Sequence, residues 1–462
     1  MFNILGRAKI SLMSDIIHYI LVVAGLVLYL FTQSLISLIL VLMIIVFRYD
    51  TIYSFLLIFP VIEGLVVVGG GMTISRFIIL IYLSKSALNV LTHKNRIRID
   101  NNGVSLILLL LVIVMGLFNI VLRPYELFIG NIKFGETVFF TILTVAKILT
   151  AFMLYTEFRS KNDHEMKHLI KKVAVSITLS LLIIAGYTVL NPKTLYSGVG
   201  MLRQTIEETD PNELASFLVA FLPYPIYLLF NERAFLKFIS IPAIFITTAV
   251  MALTLSRGGI VTFIILMIVI SVILIRNTQR KPAYIISMFI MIILFYTINE
   301  LTFSATLSRF TEGYSTQGMQ GLTSNRWELW INGIQKTFAH RPFLGFGTSI
   351  KATQLLNYLI TGRNNVMHSV LIGFFVQYGL TGLLVYLYML YRVFKGFFHL
   401  VRRDHFLYLL PFLSLTSLQI SGLTLELEYR EIMWIFIGIS LGIFSNIIDR
   451  EKWRSDEDYS SD

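Results

Sequence analysis

Long apolar segments recur along almost the whole chain, at about 16–31, 34–47, 52–68, 72–91, 104–121, 136–156, 172–190, 212–230, 239–255, 259–275, 283–299, 368–392, 406–424 and 432–447. A helix that crosses a bilayer needs roughly 20 mostly apolar residues and satisfies its own backbone hydrogen bonds there. Apolar residues make up 56% of the chain and charged residues only 14%, where a soluble domain carries about a quarter charged. Little sequence is left for a soluble domain. The pattern predicts an all-α integral membrane protein, a polytopic bundle of about 12–14 transmembrane helices with one long loop over 300–367.

The charge of +11 does not point to nucleic acid, because a membrane protein collects Lys and Arg in its cytoplasmic loops. With the N-terminus inside, Lys94, Arg96 and Arg98, the cluster over 159–172, Arg276, Arg280 and Lys281, and Arg402 and Arg403 all fall on the cytoplasmic side. Both termini are then cytoplasmic, and Arg203, Arg257 and the loop over 300–367 face outward. Arg7 and Lys9 precede the apolar run from Ile16 to Phe31, and no small-residue cleavage site follows, so an uncleaved first span is expected. The acidic, Ser-rich tail over 449–462 is expected to be disordered. Cysteine is absent, which excludes disulfides, thiolate metal sites and a cysteine nucleophile.

Three outward elements carry polar groups suited to anions. The turn Leu255-Ser256-Arg257-Gly258-Gly259 opens a helix whose free N–H groups and dipole favour negative charge, although by itself the turn fits better with Arg257 anchoring that helix among headgroups. In the long loop, Asn325 and Glu328 have capping-box spacing, and Trp327, Trp330, Ile331, Ile334 and Phe338 recur at helical spacing before Pro342, which predicts an amphipathic helix. Arg326 then sits at the start of that helix, where the dipole disfavours a cation unless an anion accompanies it. Arg203 lies ahead of Asp210-Pro211-Asn212-Glu213, where Asp210 caps, Pro211 starts and Glu213 boxes the next span.

His340 and His368 are the two histidines this topology places outside. A helix start disfavours imidazolium, so His368 is a candidate neutral base; the plain alternative is a histidine at headgroup level. His164-Glu165-Met166-Lys167-His168 spells a zinc-peptidase motif, but in a short Lys-rich cytoplasmic loop without a third ligand, and no metal site is expected. Glu63, Arg76, Lys85 and Lys147 fall inside spans, where charge is costly and pairing among them is one way out. Gly69 to Gly71 reads as a tight turn and not as a phosphate cradle, since no Lys-Ser or Lys-Thr follows.

Taken in order, Asn212-Glu213-Leu214-Ala215, Ser256-Arg257-Gly258-Gly259, Arg326 with Trp330, Arg341-Pro342-Phe343-Leu344-Gly345-Phe346-Gly347 and His368 resemble the O-antigen ligase and polymerase superfamily. The resemblance covers about residues 200–395 and divides the chain into N-terminal helices over 1–199, a catalytic region over 200–395, C-terminal helices over 396–448 and the tail over 449–462. It implies a GT-C-like glycosyltransferase in the bacterial cytoplasmic membrane, working without metal or cofactor on the extracytoplasmic face. Its donor would be an undecaprenyl-diphosphate-linked oligosaccharide and its acceptor a lipid-linked glycan or a lipid A core. Membrane lipids and a chain-length regulator are the further partners it implies. Arg257 and Arg326, with Arg203 beside them, would bind the diphosphate, and His368 would be the catalytic base. A repeat-unit polymerase is favoured over a ligase to core lipid or protein, and a flippase or transporter is the alternative outside catalysis. Trp327 and Trp330 could stack on sugars, although an interfacial belt is the more ordinary role for tryptophan.

Overall fold

The computed structural model describes residues 21, 74–93, 99–122, 134–190, 193–196, 202–205, 210–232, 234–277, 315, 318, 323, 326–348, 366–403 and 405–460. In chain order come α1 (Ile74–His93), α2 (Asn101–Leu122), α3 (Phe134–Ser160), α4 (Asp163–Leu190), β1 (Lys193–Tyr196), β2 (Leu202–Thr205), α5 (Pro211–Phe221) and α6 (Pro223–Asn231). They are followed by α7 (Ala234–Leu253), α8 (Arg257–Asn277), α9 (Trp327–His340), α10 (Val370–Arg402), α11 (Phe406–Gly422) and α12 (Glu431–Ser460). Among the described residues, seven stretches are helical, long and apolar enough to cross a membrane, and two shorter apolar helices accompany them. The chain is an all-α polytopic membrane protein. Apart from Leu21, the expected spans at 16–31, 34–47, 52–68 and 283–299, with Glu63 and Gly69 to Gly71, lie outside the described residues.

Two local departures from the expected pattern have physical causes. The span expected at 212–230 is two helices, α5 and α6, because Pro223 and Pro225 lack the N–H groups that would continue the ladder. The segment before it holds a β-hairpin, with Lys193 opposite Thr205 and Leu195 opposite Arg203. The helix α12 runs on into the acidic tail as far as Ser460.

The core is a bundle in which α12 packs most extensively on α3. Asn446 stitches the two together, its Nδ2 donating to the carbonyls of Arg159 and Lys161, each at 2.6 Å. Large side chains such as Phe238, Ile268 and Val272 point outward instead, as suits a lipid-facing surface. At the end where α3 stops and α4 starts, Arg159 pairs with Asp449 at 2.8 Å and Arg450 with Asp163 at 2.6 Å. The zinc-like motif lies here as an ordinary helix start. Asn162 Oδ1 accepts from the Glu165 N–H at 2.9 Å, and Glu165 returns the bond to Asn162 N at 3.2 Å, a capping box.

α10 is interrupted at Gly379, where φ is 63°. In a continuous helix the carbonyls of Val376 and Gln377 would accept from Leu380 and Thr381. Here residues 342–347 are inserted between them. Phe346 N donates to Val376 O at 2.9 Å and Gly347 N to Gln377 O at 2.8 Å, while Leu380 N donates to Pro342 O at 2.7 Å and Thr381 N to Phe343 O at 3.3 Å. These four groups, freed by the break, are thereby satisfied. The approach requires glycine: a Cβ on Gly379 would lie 2.4 Å from Phe343 C, and one on Gly345 would lie 2.5 Å from Gln377 O. This wedge ties the end of α9 to α10, and so fixes one wall of the site.

Candidate functional site

α5, α8 and α12 begin, and α11 ends, at the end of the bundle opposite the Arg159–Asp449 pair, and the polar residues gather there. The turn before α8 is pinned from α5: Ser256 Oγ donates to Asn212 Oδ1 at 3.0 Å and accepts from Gly259 N at 3.1 Å. Gly259 packs so closely on α5 that a Cβ would lie 2.6 Å from Ala215 Cβ. Close helix packing is therefore the role of this glycine. Gly258 faces Thr424, in the loop between α11 and α12. The same residue meets Arg326, whose Nη1 donates to the Thr424 carbonyl. Burial works against the charge of Arg326, and the carboxylates of Asp210 and Glu426 work in its favour.

His368 stands in the turn before α10, with φ at 49°. That left-handed conformation costs a non-glycine residue about 1–2 kcal/mol. Its N–H donates to Glu426 Oε1 at 2.7 Å, and the preceding carbonyl, of Met367, accepts from Trp330 Nε1 at 2.7 Å. Burial and the neighbouring Arg326 charge hold the imidazole neutral, pushing its pKa down to about 4. Asp210 opposes that shift without overcoming it.

The loop from Thr424 to Arg430 is anchored on every side. Arg430 pairs with Glu213 of α5, Trp434 Nε1 donates to the Glu428 carbonyl at 2.9 Å, and Lys147 of α3 donates to the Tyr429 carbonyl and pairs with Glu431 at 3.4 Å. Glu428 is buried and Glu426 half-buried, and loss of solvation raises the pKa of each carboxyl.

A family model described as O-Antigen ligase matches residues 242–387. Over that segment, about a third of its length, the chain is similar to the O-antigen ligase family. A search among curated proteins gives no match. The matched segment holds Arg257, Arg326 and His368 together with the wedge at 342–347, and the superfamily seen in the sequence is the one it supports. The site also draws on residues outside that segment: Asp210, Glu213 and the loop from Thr424 to Arg430.

Of the residues the sequence singled out, Arg326 and His368 are brought into one electrostatic neighbourhood, and the turn carrying Arg257 packs beside them through Thr424. Arg203 sits in β2, whose strand lies beside α5 and α7. Asp210 caps α5 as expected, accepting from Asn212 N at 2.6 Å. Glu213, expected to close a capping box, turns to Arg430 instead, because an ion pair outweighs one exposed cap bond. Asn325 lies outside the described residues, and the helix start it was expected to cap is served by Thr323 Oγ1, which accepts from Trp327 N at 3.1 Å. The buried face of α9 is Leu329, Gly333 and Thr337, while Trp327, Ile331 and Phe338 remain exposed. Trp330 turns inward to Met367. His340 ends α9 on the surface. Lys147 finds Glu431. Glu426, Glu428 and Glu431 were missed; the only signal for them was the density of acids in a short connection, Glu426, Glu428 and Glu431 within six residues.

Proposed function

We propose that this protein transfers an undecaprenyl-diphosphate-linked oligosaccharide to an acceptor sugar at the outer face of the cytoplasmic membrane, as a repeat-unit polymerase. The observation that carries this reading is a neutral, half-buried His368 held beside Arg326 inside the segment similar to the O-antigen ligase family. The donor diphosphate lies between Arg257 and Arg326, with Arg203 beside it. Arginine stays charged and binds phosphate oxygens bidentately. An acceptor hydroxyl gives its proton to His368, and its oxygen bonds to the anomeric carbon as the bond from that carbon to phosphate breaks. The diphosphate leaves on the lipid, its new charge met by the arginines. Attack opposite the leaving group inverts the anomeric centre, and no metal takes part. The catalytic region spans 200–395 with the acidic loop after α11 added to it, and both termini are cytoplasmic.

The acceptor is a second lipid-linked repeat unit, and a chain-length regulator would act on the growing product. Ligation to lipid A core or protein is the second reading, favoured by the description of the matching family itself. One assay separates them. Purified protein given a single defined lipid-linked oligosaccharide, without ATP, should produce a ladder of longer glycans. Product only on addition of core lipid would make it a ligase, and movement of donor across a vesicle without any new bond would make it a flippase.

A further inference from the structure

One peptide group, joining Met367 to His368, is held at both ends by side chains from two other elements. Its carbonyl accepts from Trp330 Nε1 on α9 at 2.7 Å, and its N–H donates to Glu426 Oε1 at 2.7 Å. The residue it carries has φ 49°, a conformation that persists in a non-glycine residue only where surroundings over-determine it. We propose that Trp330 and Glu426 are positioning residues that clamp this peptide, and so set the direction in which His368 presents its imidazole to the acceptor hydroxyl. The proposal rests on the reading of His368 as the base.

The arrangement links base and cation through one short segment. Thr424 accepts from Arg326, and Glu426, two residues on, holds His368. The spacing of these two acceptors therefore fixes where the base stands relative to the anion site. From the other side, Met367 packs against α9, its Cε lying 2.9 Å from where a Cβ on Gly333 would be. Without the clamp, His368 is free to relax to negative φ, which swings the side chain away. A displacement of about 1 Å in a reacting group can cost ~100-fold in rate.

The test is a set of variants in the purified full chain, read by kcat, by KM for donor and by hydrogen exchange at the His368 amide. Trp330→Phe keeps the ring and loses the donor. Glu426→Ala loses the acceptor, and Glu426→Gln keeps an acceptor oxygen at the same reach. We expect kcat to fall ~10–100-fold in Trp330→Phe and Glu426→Ala with donor KM little changed, and Glu426→Gln to stay close to wild type. The His368 amide should exchange slowly in wild type and Glu426→Gln and fast in Glu426→Ala. Wild-type kcat in Trp330→Phe would overturn the clamp, as would equal loss in Glu426→Gln and Glu426→Ala. Should Glu426→Ala fail to fold, Trp330→Phe and Glu426→Gln decide alone. If instead His368→Ala proved fully active, the assignment of the base would fail, while the exchange data would still report whether the peptide is clamped.

Discussion

Lys147 and Glu431 join α3 to the start of α12 at 3.4 Å, with only 7% and 2% of their side chains exposed. Lys147→Met keeps the apolar stem and removes the charge, leaving Glu431 buried without its nearest cation. Removing one partner of a buried pair costs about 3–5 kcal/mol. Positive charge from Arg76 and Arg430 also reaches Glu431, so the lower end applies, ~3 kcal/mol. At roughly 1 °C per kcal/mol for a chain of this length, the temperature at which half the protein survives heating should fall by about 3 °C. The survivors are counted as the monodisperse peak on size-exclusion chromatography in detergent. Lys147 also holds the Tyr429 carbonyl, so transfer should fall too, through the loop that bears Thr424 and Glu426. Lys147→Met with Glu431→Leu removes both charges and should recover most of the loss in stability, because no buried charge is stranded. A single variant as stable as wild type, or a double variant less stable than the single, would refute the reasoning.

Arg326→Lys keeps the charge but cannot hold both the Thr424 carbonyl and a phosphate through one planar fork, so turnover should drop by ~100-fold or more at saturating donor, the usual cost of losing a transition-state donor. Gly379→Ala places a Cβ 2.4 Å from Phe343 C at φ 63°, and should destabilise by at least about 1–2 kcal/mol of backbone strain alone, seen as a lower melting midpoint. Because burial and Arg326 push His368 down to about 4, its proton-accepting form is populated above that pH; kcat should hold from neutral pH to about 5 and fall below. The chain has no cysteine, so single cysteines report topology cleanly: one at Glu328 should react from outside intact cells, and one at Lys167 should not.

The bundle was legible because apolar length is a strong signal, and the expected spans within the described residues coincide with helices from α1 to α12. The hairpin was not, since Lys193–Tyr196 and Leu202–Thr205 are only four residues each, too short for alternation to show. Nor does anything local in Pro342 to Gly347 say that it will occupy the gap in α10; that pairing is a long-range choice forced by the backbone groups a break at Gly379 exposes. Arg257, Arg326 and His368 could be read from their order and their helix starts. The acids that place them could not. Glu213 has the spacing of a capping box, and nothing in the sequence says that Arg430, more than two hundred residues later, will take it. Glu426 and Glu428 lie in a connection of a few residues between two spans, where charge usually means only exposure to water.

In the proposed reaction His368 takes the proton from the acceptor. The most direct measurement is single-turnover transfer by purified His368→Gln with saturating lipid-linked donor, alongside donor binding to the same preparation. Glutamine keeps a hydrogen-bonding side chain but accepts no proton. Transfer should stay close to background with donor affinity near wild type, since the arginines remain. Wild-type transfer by His368→Gln would contradict it and move proton removal to a carboxylate or to water.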